Sequence, residues 1–412
     1  MTIERTGAFL NVTSEIGKLN AVMLHKPGRE LEGLTPDYLK DLLFDDIPWL
    51  KKMKVEHDEF ANVLRSRGTT VYYTQDLLAD VLADENVKRS YVRDVLVSAR
   101  IDNPELMEEL TAFLMSKSAA DVAEISIAGL NKKDVPVTTR NFGLADYVNE
   151  EWPMYINPVP NLYFMRDPAA TIGNGLSINS MFTEARRREP MILKYIYDFH
   201  PLLKKDVSPL WYNHTYSNSI EGGDELVLSK RSIAIGCSER TSSAGIETIA
   251  RNLFAGNENM QEVLAVQIPP VRAFMHLDTV FTMVDHDKFT VYPGILDRCK
   301  VYKLERGANS GIKVTKEDSL KSALKRTLNL PAVNLIESGG GDHVTAAREQ
   351  WNDSTNTLAI APGVVVTYAR NEVSNEVLRN NGIEVLEIDG SELVRGRGGP
   401  RCMSMPLNRD EL

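Results

Sequence analysis

A chain of 412 residues, 43% hydrophobic and 25% charged, has an ordinary globular balance and enough apolar material for a sizeable core. Its net charge of -10 argues against a nucleic-acid binder, which normally presents a basic surface, and weakly favours a cationic small ligand. With no run of about 18 apolar residues, and neither an apolar h-region nor a basic n-region in Met1 to Gly17, no membrane span or signal peptide is expected.

In chain order, Ala21-Val22-Met23-Leu24-His25 predicts an opening strand. From 74 to 130, Leu, Ala, Glu and Lys recur at helical spacing, as in Tyr91-Val92-Arg93-Asp94-Val95-Leu96. This predicts a helical bundle, 74–130, inserted into a body made of 1–73 and 131–412. Leu162-Tyr163-Phe164 precedes a hairpin turning at Gly173-Asn174-Gly175. Residues 225–268 carry a fuller plan: strands at 225–228 and 232–236, a helix capped by Ser242 or Ser243, and a strand at 263–266. Residues 280–284 and 289–292 flank the turn Asp285-His286-Asp287. The full plan returns at 357–388, with strands at 357–360, 364–368 and 383–386 and a helix at 372–380. A glycine–acid signature precedes two of these regions, as Ile220-Glu221-Gly222-Gly223-Asp224 and Ile336-Glu337-Ser338-Gly339-Gly340-Gly341-Asp342. A ββαβ unit cannot bury its apolar face alone, and about five around one axis would close a ring. The expected fold is therefore α/β, a fivefold pseudo-symmetric ββαβ propeller. Closure would bring Asp167, Glu221, His276, Asp278 and Cys402 to one central pocket.

Three cysteines, Cys237, Cys299 and Cys402, with no export signal read as reduced thiols in a cytoplasm. On that reading the sequons Asn11-Val12-Thr13 and Asn213-His214-Thr215, and the retention-like ending Arg409-Asp410-Glu411-Leu412, are coincidences.

Most free cysteines are buried small hydrophobes, and Cys237 and Cys299 are read that way. Cys402 differs: Gly396, Gly398 and Gly399 allow close backbone approach to a ligand, and Arg397 and Arg401 favour a thiolate. His276 and Asp278 share a face if their segment is a strand; alone, such a pair is more often a satisfied contact. A metal site finds no HExxH or Cys-x-x-Cys in support. Glu221-Gly222-Gly223-Asp224 is either a plain turn or an acid presented by glycines. Asp167, after Arg166 at the end of a strand, is either a surface ion pair or a pocket carboxylate. Arg186 and Arg240 are either solvated charges or bidentate partners for a carboxylate. Taken together, carboxylates to hold a cation, a thiolate to attack it and a histidine to move protons point to hydrolysis of a guanidinium group.

The segments Leu43-Phe44-Asp45-Asp46, Asn161-Leu162-Tyr163-Phe164-Met165-Arg166-Asp167, Glu221-Gly222-Gly223-Asp224-Glu225, Ser238-Glu239-Arg240-Thr241-Ser242, Met275-His276-Leu277-Asp278 and Arg395-Gly396-Arg397-Gly398-Gly399-Pro400-Arg401-Cys402-Met403-Ser404-Met405-Pro406, in this order, closely resemble arginine deiminase. The resemblance covers essentially the whole chain. It implies the propeller of the guanidine-modifying (pentein) superfamily with a helical insertion. It also implies hydrolysis of L-arginine to L-citrulline and ammonia, the first step of arginine catabolism by the deiminase route.

Carried over by position, the resemblance makes Asp167 and Asp278 the guanidinium clamp and Cys402 the nucleophile that forms an amidino-cysteine. His276, oriented by Glu221, protonates the ammonia and then activates water. Arg186 and Arg240 would bind the α-carboxylate, with Arg397 in the same region and Asp224 counted among the substrate-binding residues. Asn161 and carbonyls near Leu43 and Gly396 would take the α-ammonium, and Phe164 the aliphatic stem. No metal or cofactor is implied, and no partner beyond the small substrate and copies of the chain itself in a cytoplasmic homo-oligomer. Some members carry a histidine where this chain has Arg401. The rival readings are an agmatine deiminase, a methylarginine hydrolase, an amidinotransferase, a non-catalytic arginine sensor and, last, a zinc hydrolase.

Overall fold

In the computed structural model, which describes residues 9–139, 143, 144, 147, 152–203 and 206–412, one strand plan recurs five times. The first eight residues, part of the segment read for a leader, lie outside the described ones. Each unit pairs two strands antiparallel and sets a third parallel to the second. The units are Ala169–Ile172, Gly175–Ile178 and Leu210–Tyr212; Glu225–Ser229, Ser232–Cys237 and Glu262–Gln267; Phe281–Met283, Lys288–Val291 and Asn334–Glu337; Leu358–Ala361, Val364–Tyr368 and Glu384–Ile388; and Met405–Arg409, Leu19–Leu24 and Thr70–Tyr73. The last unit draws its strands from both ends of the chain.

A parallel neighbour demands a crossover, and a helix supplies it in every unit. These helices are Arg188–Phe199, Ser243–Gly256, Leu320–Thr327, Glu372–Asn380 and Leu50–Ser66. Local chemistry sets their starts: the Ser242 hydroxyl accepts from Gly245 N at 3.1 Å, capping the second helix. The middle strands, such as Ser232–Cys237, are buried nearly throughout, as apolar runs covered on both faces are. The second sheet departs from the plan. Lys300–Arg306 and Ile312–Lys316 extend it to five strands. The sequence hides this hairpin, because charged and polar residues interrupt both strands and the edge strand Ile312–Lys316 is solvated, so no apolar run forms.

Four helices occupy Thr74–Val81, Glu85–Ser98, Pro104–Met115 and Ala119–Ala128. Asp84 and Asn103 cap the second and third, and a reciprocal Ser118–Asp121 box starts the fourth. Their apolar faces, with Leu78, Tyr91, Leu96, Leu110 and Ile127, merge with Leu176, Ile192, Met405 and Leu407 in one core cluster. The architecture is mixed α/β. Among the described residues no helix is long and apolar enough to cross a membrane.

Candidate active site

Every unit delivers polar side chains from the segment just before its first strand: Asp167, then Glu221 and Asp224, then His276 and Asp278, then Asn356, then Cys402. The local backbone differs from the expected strands. Asp167 sits in a turn after the 3-10 helix Pro160–Tyr163, not at a strand end. His276 is the cap of the 3-10 turn Leu277–Thr279, whose Thr279 hydroxyl donates to the His276 carbonyl at 2.7 Å. Extended backbone at residue 276 followed at once by a tight turn takes both His276 and Asp278 inward without a strand.

A cleft of about 350 Å³ is lined by Leu43, Asn161, Phe164, Asp167, Arg186, Arg240, Arg272, Met275, His276, Gly396, Arg397 and Cys402. Glu221, Asp224 and Asp278 are fully buried behind that lining. The Cys402 thiol donates to Asp278 Oδ2 at 3.5 Å, and Asn356 Nδ2 donates to the sulfur at 3.1 Å. The Asn356 oxygen accepts from Cys402 N at 2.9 Å. His276 Nε2 lies 2.8 Å from Glu221 Oε2, and its Nδ1 lies 3.7 Å from Asp167 Oδ1. Both clamp candidates share one pattern. Asp167 Oδ2 accepts from Arg186 at 2.6 Å and Asp278 Oδ2 from Arg401 at 2.7 Å, while each Oδ1 is buried with no hydrogen-bond partner.

The electrostatics follow from burial. Burial and the carboxylates of Asp278, Asp167 and Asp353 hold the Cys402 thiol well above its ordinary range. Arg401 does less than its place in the sequence suggested, because Asp278 and Glu15 neutralise it. For His276, burial disfavours the cation, yet Asp167 and the Glu221 hydrogen bond overcome it and raise the pKa. Burial pushes the Asp278 carboxyl up, and Arg401 and His276 pull it partly back.

Two expected substrate contacts come out differently. Asp224 faces away from the cleft: its oxygens accept from Leu277 N and the Ser238 hydroxyl, both at 2.7 Å, so it anchors the His276 turn. Burial pushes its carboxyl up to about 7. Arg186 lines the cleft, but Nε and Nη2 are taken by Glu189 and the carbonyls of Asn161 and Phe164, and Nη1 by Asp167. Arg240 is looser, 3.8 Å from Glu221 Oε2, and its Nε lies 3.9 Å from Glu239 Oε1 without a hydrogen bond. Arg397, in the left-handed region at φ 68°, lies over the Trp351 ring at 3.4 Å, with Nε and Nη1 unbonded. Asn161 Nδ2 donates to the Leu42 carbonyl at 2.8 Å.

The glycines serve the protein more than the ligand. A methyl group at Gly223 would stand 2.6 Å from His276 Nδ1 and 2.9 Å from Asp167 Oδ1. One at Gly398 would stand 2.3 Å from the Phe164 ring. Asp167, Glu221 and His276 offer atoms within 4.8 Å of one another, a spacing that suits a cation. Asp167 and Glu221 favour the protonated form of His276, which offers a metal no ring lone pair, so the cluster suits proton transfer better than metal binding.

Sequence reasoning missed Asn356, Glu15, Glu189, Arg272 and Met275, and it read Arg401 as a charge beside the thiol instead of as the partner of Asp278. Superposing the repeated units would have flagged Asn356, and the three-residue spacing of Arg186 and Glu189 hinted at their pairing. Glu15 carries no local signal.

Residues 40–409 match the family model for arginine deiminase. An arginine deiminase from Bacillus thuringiensis subsp. konkukian is 49% identical over 407 residues, covering 98% of this chain and 99% of that one. Among solved structures, the fold is similar to SxtG, an amidinotransferase from Microseira wollei (TM-score 0.56, 14% identity, 98% of each chain). It is also similar to a dimethylarginine dimethylaminohydrolase adduct with S-methyl-L-thiocitrulline (TM-score 0.52, 15% identity, 94% of this chain and 99% of that one). At these identities the two structures bear on the fold alone, a mixed α/β arrangement.

Proposed function

The chain belongs to the arginine deiminase family of amidine-hydrolysing enzymes, and from that premise we propose that it hydrolyses L-arginine to L-citrulline and ammonia through a covalent amidino-cysteine. This is the first step of arginine catabolism by the deiminase route. One observation carries the reading: Asp167 Oδ1 and Asp278 Oδ1 are buried beside the thiol and bonded to nothing among the described residues. Such oxygens are costly unless a cation meets them. Arginine's guanidinium lies between them, its planar donors fixing the central carbon in front of Cys402.

The substrate cation also offsets the carboxylates that keep Cys402 protonated, so binding favours loss of the thiol proton to solvent. The thiolate attacks the central carbon and gives a neutral tetrahedral adduct. His276, cationic and held at Nε2 by Glu221, donates its Nδ1 proton to the departing nitrogen. The C–N bond breaks, ammonia leaves, and the amidino group stays on sulfur. Neutral His276 then takes a proton from water as its oxygen attacks the same carbon. The C–S bond breaks, the hydroxyl proton returns to sulfur, and citrulline departs.

Arg240 and Arg397 receive the α-carboxylate, supported by their place in the cleft lining and by having nitrogens without a hydrogen bond. Arg186 acts mainly on Asp167. Asn161 and the carbonyls of Leu43 and Gly396 receive the α-ammonium, and Phe164 packs on the stem. In the same reading the five strand units are blades of a pseudo-symmetric propeller, residues 74–130 form its helical insertion, and 1–73 with 131–412 form the catalytic body. The enzyme works in the cytoplasm as a homo-oligomer, a reading supported by its three free thiols and the frequency of symmetric assemblies among soluble enzymes.

The test is product analysis of purified, chelator-treated protein given L-arginine or agmatine. Citrulline with equal ammonia from arginine alone is expected, and Cys402→Ser should bind arginine without turnover. Full activity in Cys402→Ser overturns the covalent route. Ammonia from agmatine in preference to arginine overturns the carboxylate assignment.

A further inference from the structure

Behind the two proposed clamp carboxylates stand two similar buried triads. Glu189 braces Arg186, which holds Asp167 Oδ2; Glu15 braces Arg401, which holds Asp278 Oδ2. We propose that Arg401, braced by Glu15, is a positioning residue of the reaction: it fixes Asp278 so that Oδ1 alone faces the bound guanidinium. This rests on the deiminase reading and deepens it.

The geometry separates positioning from substrate binding. Arginine carries five N–H donors, and Arg401 has an acceptor for each. Nε donates to Glu15 Oε2 at 3.0 Å, and Nη2 to Glu15 Oε1 at 3.3 Å and the Glu225 carbonyl at 2.8 Å. Nη1 donates to Asp278 Oδ2 at 2.7 Å and the Gly223 carbonyl at 3.4 Å. None is left for a ligand, and the side chain is 1% exposed. The fork therefore locks one oxygen of Asp278 and leaves the other. It also links four distant segments: the N-terminal one through Glu15, the Gly223–Glu225 turn, the Asp278 turn, and the loop of Cys402. Lysine has three donors on one atom and cannot reproduce this fork.

The charged and titratable groups around Asp278 are Arg401, His276, Asp167 and Cys402, with Arg166 and Asp353 further out. Glu15 faces Arg401, Arg166 and Arg409. Without Arg401, Asp278 keeps its burial and loses its main counter-charge, so it holds a proton to higher pH.

Steady-state kinetics on L-arginine across pH test the proposal in the full-length wild type, R401K and R401Q, with circular dichroism to report folding. For R401Q we expect kcat/KM to fall about 10²-fold at neutral pH, as a misplaced reactive group does. Its acid limb should move up by about one pH unit or more, as expected when a carboxylate loses an adjacent arginine. R401K keeps the charge and loses the fork: its acid limb should stay near that of the wild type while KM rises about tenfold. Should R401Q fail to fold, R401K alone decides through KM. Folded variants with unchanged KM and unchanged acid limb overturn the proposal. A wild type that makes no citrulline from arginine overturns the deiminase reading instead.

Discussion

Gly223 stands where a single methyl group would collide with His276 Nδ1 and Asp167 Oδ1 together. Neither neighbour can retreat, because Glu221 holds the ring and Arg186 the carboxylate. Gly223→Ala should therefore fold and lose about 10²-fold in kcat/KM, a displacement effect that steady-state kinetics would register. The His276–Glu221 pair sets a second expectation. Asp167 and Glu221 raise the histidine pKa against burial, and the proposed leaving-group step uses the cationic form. Activity should then fall on the alkaline side, as pH rises through that raised value. Glu221→Gln removes a negative charge from the ring, so the alkaline limb of kcat should move to lower pH by about one unit. A limb that stays in place would count against His276 as the proton donor. At this scale the sequence disclosed residues embedded in motifs, such as Glu221 between apolar and glycine neighbours. It concealed Glu15, whose partner Arg401 lies 386 positions away and whose surroundings follow no pattern.

Whole elements hold the cleft through reach across the fold more than through their own caps. Glu56, on the helix Leu50–Ser66, accepts from Glu392 N at 2.9 Å, Leu393 N at 3.0 Å and the Ser391 hydroxyl at 2.8 Å. These bonds seat the turn Leu393–Gly396, which leads directly to Arg397 and Cys402. Glu56→Ala leaves buried N–H groups unpaired, and should lower stability by about 1–3 kcal/mol in denaturant unfolding. It should also raise KM for arginine, since the loosened turn carries the Gly396 carbonyl and Arg397. Element order was largely legible. The helix at Ser243–Gly256 and the strands flanking it follow from apolar runs, a serine cap and a turn. The inward 3-10 turn at Leu277–Thr279 was not, because a three-residue turn has no periodicity to read, whereas the glycine pair did mark the turn at Gly222–Asp224. The hairpin Lys300–Arg306 and Ile312–Lys316 escaped for the opposite reason: its charges obscure the strand signal.

Across the whole molecule, the two ends of the chain meet at the site. Asn11 N donates to the Leu407 carbonyl at 3.0 Å and Asp410 N to the Lys18 carbonyl at 2.9 Å. Glu15 lies between Arg401, Arg166 and Arg409. Burial raises its carboxyl, but these cations overcome burial and bring it down from 4.5 to about 2. A depressed carboxyl contributes stability that is present above its unfolded value and is lost as pH falls through the folded one. Equilibrium unfolding should therefore show wild-type stability declining from about pH 4.5 towards 2, with a shallower decline in Glu15→Gln. Equal slopes in the two proteins would remove Glu15 from the acid response. Four of the five repeated units show in the sequence, two in full and two in part, but the fifth shows only its opening strand, since its strands Met405–Arg409 and Leu19–Leu24 lie far apart in the chain. That placement also fixes a moment in the life of each molecule. Cys402 and its neighbouring strand leave the ribosome after the segments that carry Asp167, Glu221, His276 and Asp278. On the proposed reading, a chain still under synthesis holds the carboxylates and the histidine but has no nucleophile to set among them. Free arginine, which translation itself consumes, is thus out of reach of every half-made copy of the enzyme.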